Sequence, residues 1–173
     1  MSSETLGAGR FLELLRRDGW EFVHRRVGDA VVAVIALDDD RRIVLVEQFR
    51  PAVGGNVIEL PAGLVGDRGS LEGEDPESAA RRELHEETGF EADSWTRLPS
   101  VVSSAGLTDE RIDLYLARDL RRSGRGGGVG DEAITVHLVP LSELGSWLET
   151  RIAQGCEVDG RVYAAPTLIG ALG

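Results

Sequence analysis

Two apolar runs of strand length dominate the pattern along the chain. Ala30 to Leu37 (AVVAVIAL) and Arg42 to Phe49 (RIVLVEQF) are rich in β-branched residues and flank Asp38-Asp39-Asp40, a composition suited to a hairpin turn. Val57 to Leu60 reads as a short strand that stops at Pro61, and further strands are expected near Trp95 to Val102, at Arg111 to Ala117 and at Ile134 to Leu141. Trp20 opens another strand-like segment, WEFVHRR. The residues before it, Arg10 to Arg17 (RFLELLRR), have a spacing that predicts a short helix. A stronger helix is predicted over Pro76 to Thr88, with Asp75 as N-cap, proline at the first helical position and Gly89 as the closing residue. Leu144 to Ala153 reads as an amphipathic helix, and the tail from Ala164 as another. Gly63 to Gly73 and the run SGRGGGVGDE, which contains Gly126-Gly127-Gly128, read as loops, the second a flexible one. Hairpin strands interspersed with helices predict an α+β fold in which a mixed sheet lies between helices.

Composition narrows the classes of function. A chain of 173 residues that is 42% hydrophobic suits one globular domain with one sizeable core. The expected division is a main domain over residues 29–173 preceded by an N-terminal extension over 1–28. The start has no basic segment leading into an apolar one, and no apolar run reaches the roughly 18 residues of a membrane span, so neither secretion nor a membrane partner is expected. Cys156 is the only cysteine, which excludes an intrachain disulfide and suits a reducing cytoplasm. A net charge of −11 repels a phosphate backbone, so nucleic acid is not an expected partner. All 19 basic residues are arginine, which removes the P-loop lysine, the Schiff-base lysine and the serine–lysine dyad. His24, His85 and His137 show no zinc spacing, and no Gly-x-Ser-x-Gly element supplies a serine nucleophile. An acidic enzyme acting on an anionic substrate must neutralise it locally, by divalent metal ions and a few placed arginines.

The predicted helix over Pro76 to Thr88 supplies candidates for that task. At 100° per residue, Glu83, Glu86 and Glu87 share an arc of roughly 100°. Oxygen donors clustered in this way suit hard cations such as Mg²⁺, usually shared with substrate phosphates. Ala80 and Leu84 recur at helical spacing and would pack on the sheet, while Arg82 stands four residues before Glu86 and can hold its carboxylate.

The stretch reads Glu74, seven residues, Arg82-Glu83-Leu84, one residue, Glu86-Glu87, one residue, then Gly89-Phe90. This spacing resembles the Nudix box. Glu59-Leu60-Pro61-Ala62-Gly63 resembles the strand end and turn that precede the box, and a weaker likeness runs from about Trp20 to Val139. Ten residues separate Gly63 from Glu74. That is about five more than the family pattern has, and it reads as an insertion in a loop, where added length costs little entropy.

The resemblance implies a Nudix-type α/β/α sandwich and Mg²⁺-dependent hydrolysis of a pyrophosphate bond, with Mn²⁺ as a possible substitute. It implies metal ligation by Glu83, Glu87 and the Ala62 backbone carbonyl, with Glu86 nearby and serving in catalysis alongside Arg82. Glu74 is either a partner of the helix dipole or a supporting catalytic residue. Glu132 is the implied general base, with Asp131 and Glu110 as alternatives. Arg50, Glu59, Trp20 and Ala105 are the implied substrate contacts, Trp20 by stacking on an adenine. The family's ADP-ribose pyrophosphatases resemble Ser103 to Glu110 but carry proline where this chain has Ala105. The implied substrate is a nucleoside diphosphate sugar, ADP-ribose first and GDP-mannose second; a nucleotide-binding regulator without turnover is the alternative of another class. Dimeric relatives exchange N-terminal elements, which implies a homodimer.

Overall fold

The computed structural model describes residues 2–28, 30–66, 73–130 and 132–171. A mixed sheet forms its centre. Inside it, β4 (Ala30–Leu37) runs parallel to β10 (Arg111–Arg122) along one edge, and antiparallel to β5 (Arg42–Arg50) and β7 (Ala62–Val65) along the other. β6 (Gly55–Glu59) and β11 (Thr135–Pro140) pair with β5, β8 (Phe90–Arg97) and β9 (Val101–Val102) pair with β10, and β12 (Glu157–Val158) runs parallel to β6. Among the described residues the α-helices α1 (Pro76–Thr88), α2 (Leu144–Ala153) and α3 (Gly160–Gly170) cover the sheet. None of the described helices is long and apolar enough to cross a membrane.

Neighbouring residues of a strand face opposite sides of the sheet. Val32, Val34 and Ala36 of β4 therefore share a core with Ala79, Ala80 and Leu84 of α1, whereas Ala33, Ile35 and Leu37 share one with Leu148 of α2 and with Val162, Ala165 and Ile169 of α3. A strand buried on both faces carries no polar positions, which is why Ala30–Leu37 is apolar throughout. The result is the expected sandwich, with α1 on one side of a mixed sheet and α2 and α3 on the other. Leu84 is fully buried, and its truncation to alanine would cost about 3 kcal/mol.

The caps of α1 form as predicted. The Asp75 carboxylate accepts from the Glu77 and Ser78 amides, Pro76 occupies the first turn, and Gly89, at φ 74°, donates its amide to the His85 carbonyl. α2 has the predicted bounds. α3 starts at Gly160 rather than Ala164, because the Asp159 carboxylate accepts from the Arg161 amide and so nucleates the helix earlier.

The N-terminal segment departs from expectation. Arg10 to Arg17 is not a helix; β1 (Glu4–Ala8), β2 (Leu12–Arg17) and β3 (Trp20–Arg25) form a separate three-stranded antiparallel sheet. The turn between β2 and β3 is Asp18-Gly19, with φ 51° and 83°. Two consecutive positive φ values make the type of hairpin turn whose twist matches the flanking strands, and Asp-Gly is its preferred sequence. Leu14 pairs with Val23 and Leu15 with Phe22, so cross-strand contacts replace the helical ones. This sheet joins the rest of the chain through the loop before β10, where the Val23 amide donates to the Leu107 carbonyl at 2.8 Å. Two smaller differences are that β7 occupies part of the glycine-rich stretch read as a loop, and that β8 starts at Phe90, directly after α1.

Candidate active site

The turn from β6 to β7 brings the backbone against α1. The Val34 amide of β4 donates to the Pro61 carbonyl at 2.8 Å, which fixes the turn to the centre of the sheet. The next amide, Ala62, donates to Glu87 Oε2 at 3.0 Å. A Cβ placed on Gly63 would lie 2.0 Å from the Glu83 carboxyl carbon, so only glycine permits this approach. Glu87 is buried and is pushed up to about 8 by desolvation, which outweighs the hydrogen bond from the Ala62 amide, with smaller contributions from the neighbouring charges of Glu83 and Glu132.

Beneath these carboxylates lies Arg82. Its Nε and Nη2 reach the two oxygens of Glu74 at 2.9 and 3.0 Å, a bidentate pair. Nη1 reaches Glu83 at 2.7 Å and Glu86 at 3.3 Å, and Nη2 also donates to the Leu64 carbonyl at 3.0 Å. The hydrogen bonds from Arg82 hold Glu74 below the ordinary carboxylate range, and those to Glu74 and Glu83 raise Arg82 further above its own. Glu74 therefore does more than complement the helix dipole. It anchors the guanidinium that orients two of the three clustered acids.

A cavity of about 400 Å³ opens above this arrangement. Of the residues singled out in the sequence, Ala62, Glu83, Glu87, Arg50, Glu110 and Glu132 line it. Glu86 and Arg82 sit on α1 behind the lining, and Glu59 sits behind Arg50, accepting from its Nε at 2.7 Å. Asp131 lies outside the described residues. Trp20 and Ala105 come together elsewhere, in a second depression of about 370 Å³ shared with Phe22 and Thr108. Trp20 is 63% exposed there, and its Nε1 donates to the Gly106 carbonyl at 3.3 Å.

Two arginines of the cavity were not singled out in the sequence. Arg25 reaches the cavity from β3 and pairs with Glu110 at 2.7 Å. Arg161 enters from the start of α3, gripping Asp159 at 2.7 and 2.8 Å. Arg25 lies about 85 residues from its partner, so no local pattern reveals it. The signal for Arg161 was the Asp-Gly-Arg run that caps α3.

As the side chains stand, no three His, Cys, Asp or Glu groups among the described residues converge tightly enough to hold a metal ion. Glu83 and Glu86 are drawn toward Arg82. The donor chemistry nevertheless fits a hard divalent cation. The carboxylates present only oxygen, and Glu87 is buried among like charges whose repulsion such an ion would relieve.

The sequence profile of the NUDIX domain matches residues 27–160. An ADP-ribose pyrophosphatase of Mycobacterium tuberculosis is 37% identical over 150 residues, covering 83% of this chain and 70% of that protein. A GDP-mannose pyrophosphatase of Cronobacter sakazakii is 34% identical over 143 residues, covering 76% of this chain and 72% of that one. Among solved structures, an ADP compounds hydrolase superposes with a TM-score of 0.66 at 22% identity, covering 86% of this chain and 81% of its own, which establishes the likeness of fold. With the domain profile matched over residues 27–160 and a relative 37% identical over most of its length, the chain belongs to the Nudix family.

Proposed function

We propose that this Nudix pyrophosphohydrolase cleaves ADP-ribose to AMP and ribose 5-phosphate in a Mg²⁺-dependent reaction, with Mn²⁺ as a substitute. The observation that carries the reading is the cavity itself, in which Glu83, Glu87 and Glu132 line the same space as Arg25, Arg50 and Arg161. Glu83, Glu87, Glu86 and the Ala62 carbonyl would hold the ion. A bound divalent cation supplies charge neutralisation for the pyrophosphate and activation of the attacking water. Arg82 keeps Glu83 and Glu86 in register, and Arg50, braced by Glu59, offers a preoriented fork to a phosphate or sugar oxygen. Glu132 serves as the proton acceptor from water at the cavity rim.

The similarity to ADP-ribose pyrophosphatases supports the substrate, and the similarity to GDP-mannose pyrophosphatases supports GDP-mannose as the second reading. Residues 1–28 serve as a dimerisation extension of the domain over 29–173, since Phe11, Leu12 and Trp20 leave apolar surface exposed on the three-stranded sheet. In such a homodimer Trp20 and Ala105 complete the nucleotide site of the partner, in the cytoplasm and without nucleic acid. Incubation with Mg²⁺ and ADP-ribose, GDP-mannose, UDP-glucose or NADH, with products separated by chromatography, tests the reading. AMP and ribose 5-phosphate from ADP-ribose at the highest kcat/KM are expected; preferential release of GMP from GDP-mannose would select the second substrate, and nucleotide binding without products would make the protein a regulator.

A further inference from the structure

The run Gly126-Gly127-Gly128 is not the free loop that its composition predicts. It docks on the C-terminal end of α1. A helix leaves its last carbonyls without partners, and a glycine just past the end usually satisfies one or two of them. Gly89 does this for His85. The next carbonyls are taken by the distant loop: the Gly128 amide donates to Glu86 O at 3.1 Å and the Gly127 amide to Glu87 O at 2.8 Å. Ser123 and Gly124 both donate to Gly89 O, at 2.9 and 3.0 Å. The residues whose carbonyls are capped at Glu86 and Glu87 are those whose side chains belong to the acidic cluster.

All three glycines are required by backbone conformation, and Gly126 and Gly128 sterically as well. Gly126, Gly127 and Gly128 have φ values of 69°, 105° and 87°. A Cβ on Gly126 would stand 2.4 Å from the Thr88 carbonyl carbon, and one on Gly128 would stand 2.6 Å from Glu132 Cβ and 2.7 Å from Glu132 Oε2. The loop then turns so that the Val129 amide donates to Glu132 Oε2 at 2.8 Å, while Ile134 donates back to Gly127 O at 3.3 Å. Glu132 is thus located by a chain of contacts that begins on the α1 backbone, and it shares the cavity with Glu83 and Glu87 of that same helix.

We propose that the glycine run is a positioning element for the reaction, fixing the Glu132 carboxylate relative to Glu83 and Glu87 by capping the helix that carries them. Gly126 and Gly128 are positioning residues, acting only through Glu132. The proposal rests on Glu132 being the proton acceptor, and a double-mutant cycle separates the two claims. With Mg²⁺ and whichever of ADP-ribose or GDP-mannose is turned over, Glu132→Gln should lower kcat at least about 100-fold. Gly126→Ala should lower kcat by about tenfold or more with KM nearly unchanged, since an ångström of misplacement is enough. The double variant should be no slower than Glu132→Gln alone, because the loop has nothing left to position.

Independent losses that multiply would overturn the proposal, as would full activity in Gly126→Ala beside an impaired Glu132→Gln. Full activity in Glu132→Gln would instead remove the proton acceptor, and the positioning role with it. If Gly126→Ala does not fold, Gly127→Ala carries the same cycle, because its Cβ meets nothing nearer than 3.8 Å and only the backbone φ is strained. Amide hydrogen exchange gives a readout apart from turnover. Gly127 and Gly128 should be protected in the resting protein and lose protection in Gly126→Ala; unprotected amides in the wild type would also overturn the proposal.

Discussion

Glu87 predicts an unusual pH dependence of stability. Its carboxyl is buried and pushed up to about 8 from an ordinary 4.5. The folded protein therefore binds this proton over a range in which the unfolded chain has released it, and stability from this group is present at low pH and lost as pH rises toward 8. Working the linkage at pH 7 gives a loss of about 3 kcal/mol relative to acid conditions. For a chain of this length that is roughly 6–12 °C in Tm. Thermal unfolding in EDTA from pH 5 to 8.5 should show the wild type falling by this amount relative to Glu87→Gln, whose side chain can still accept from the Ala62 amide but does not titrate. Added Mg²⁺ should stabilise the wild type more at pH 8 than at pH 5, because the ion binds the ionised carboxylate. Parallel curves for wild type and variant, with and without Mg²⁺, would refute the reasoning.

Gly63→Ala places a methyl group 2.0 Å from the Glu83 carboxyl and must displace it; kcat should fall about 100-fold while Tm stays within a few degrees, read by steady-state kinetics and calorimetry. Glu47→Ala should do the reverse. Burial opposes ionisation of Glu47, but Asn56, His137 and Arg151 together hold it below the ordinary range. Its loss removes the carboxylate partner of Arg151, whose Nε already lacks a partner and whose Nη1 keeps only Gln154, and should cost about 3 kcal/mol in chemical denaturation with kcat unchanged, since Glu47 is not part of the cavity lining.

Helix α1 was legible in the sequence because its ends are set by local chemistry, the Asp75 cap and the left-handed Gly89. The strand Ala30–Leu37 was legible because burial on both faces leaves no polar residue to blur it, and Arg42–Arg50 because its buried run over residues 43–46 is apolar and rich in β-branched residues. Leu12–Arg17 was misread because its leucines satisfy a helical spacing as well as a strand pairing. The deciding signal, Asp18-Gly19, lies outside the segment and acts only once β3 is available as a partner. The acidic cluster was legible as a helical arc, and Arg82 as its nearest cation. Bidentate engagement of Glu74 was not, because it depends on how the chain before α1 folds back, through the Gly66 amide that also donates to Glu74. The glycine run was misread for a related reason: composition reports the φ values a segment can adopt, not the carbonyls it will meet.

The charges of the cavity explain how an acidic, lysine-free protein can receive a diphosphate. Arg50 is engaged by Glu59, Arg25 by Glu110 and Arg161 by Asp159. Each guanidinium is held in place by its own carboxylate, so its orientation is gained at the expense of its net charge. What remains is an excess of carboxylate, since Glu87 and Glu132 also line the cavity and Glu83 shares the single guanidinium of Arg82 with Glu74 and Glu86. The metal-free protein partly relieves that excess by keeping Glu87 protonated near neutral pH. An added divalent cation can displace the proton and convert a repulsive cavity into one that attracts phosphate. Lysines would have supplied positive charge without any ion, and the arginine–carboxylate pairs supply geometry in its place. On the proposed reading the negative charge of the chain is no obstacle to an anionic substrate, because a divalent cation held by the cavity carboxylates would neutralise them.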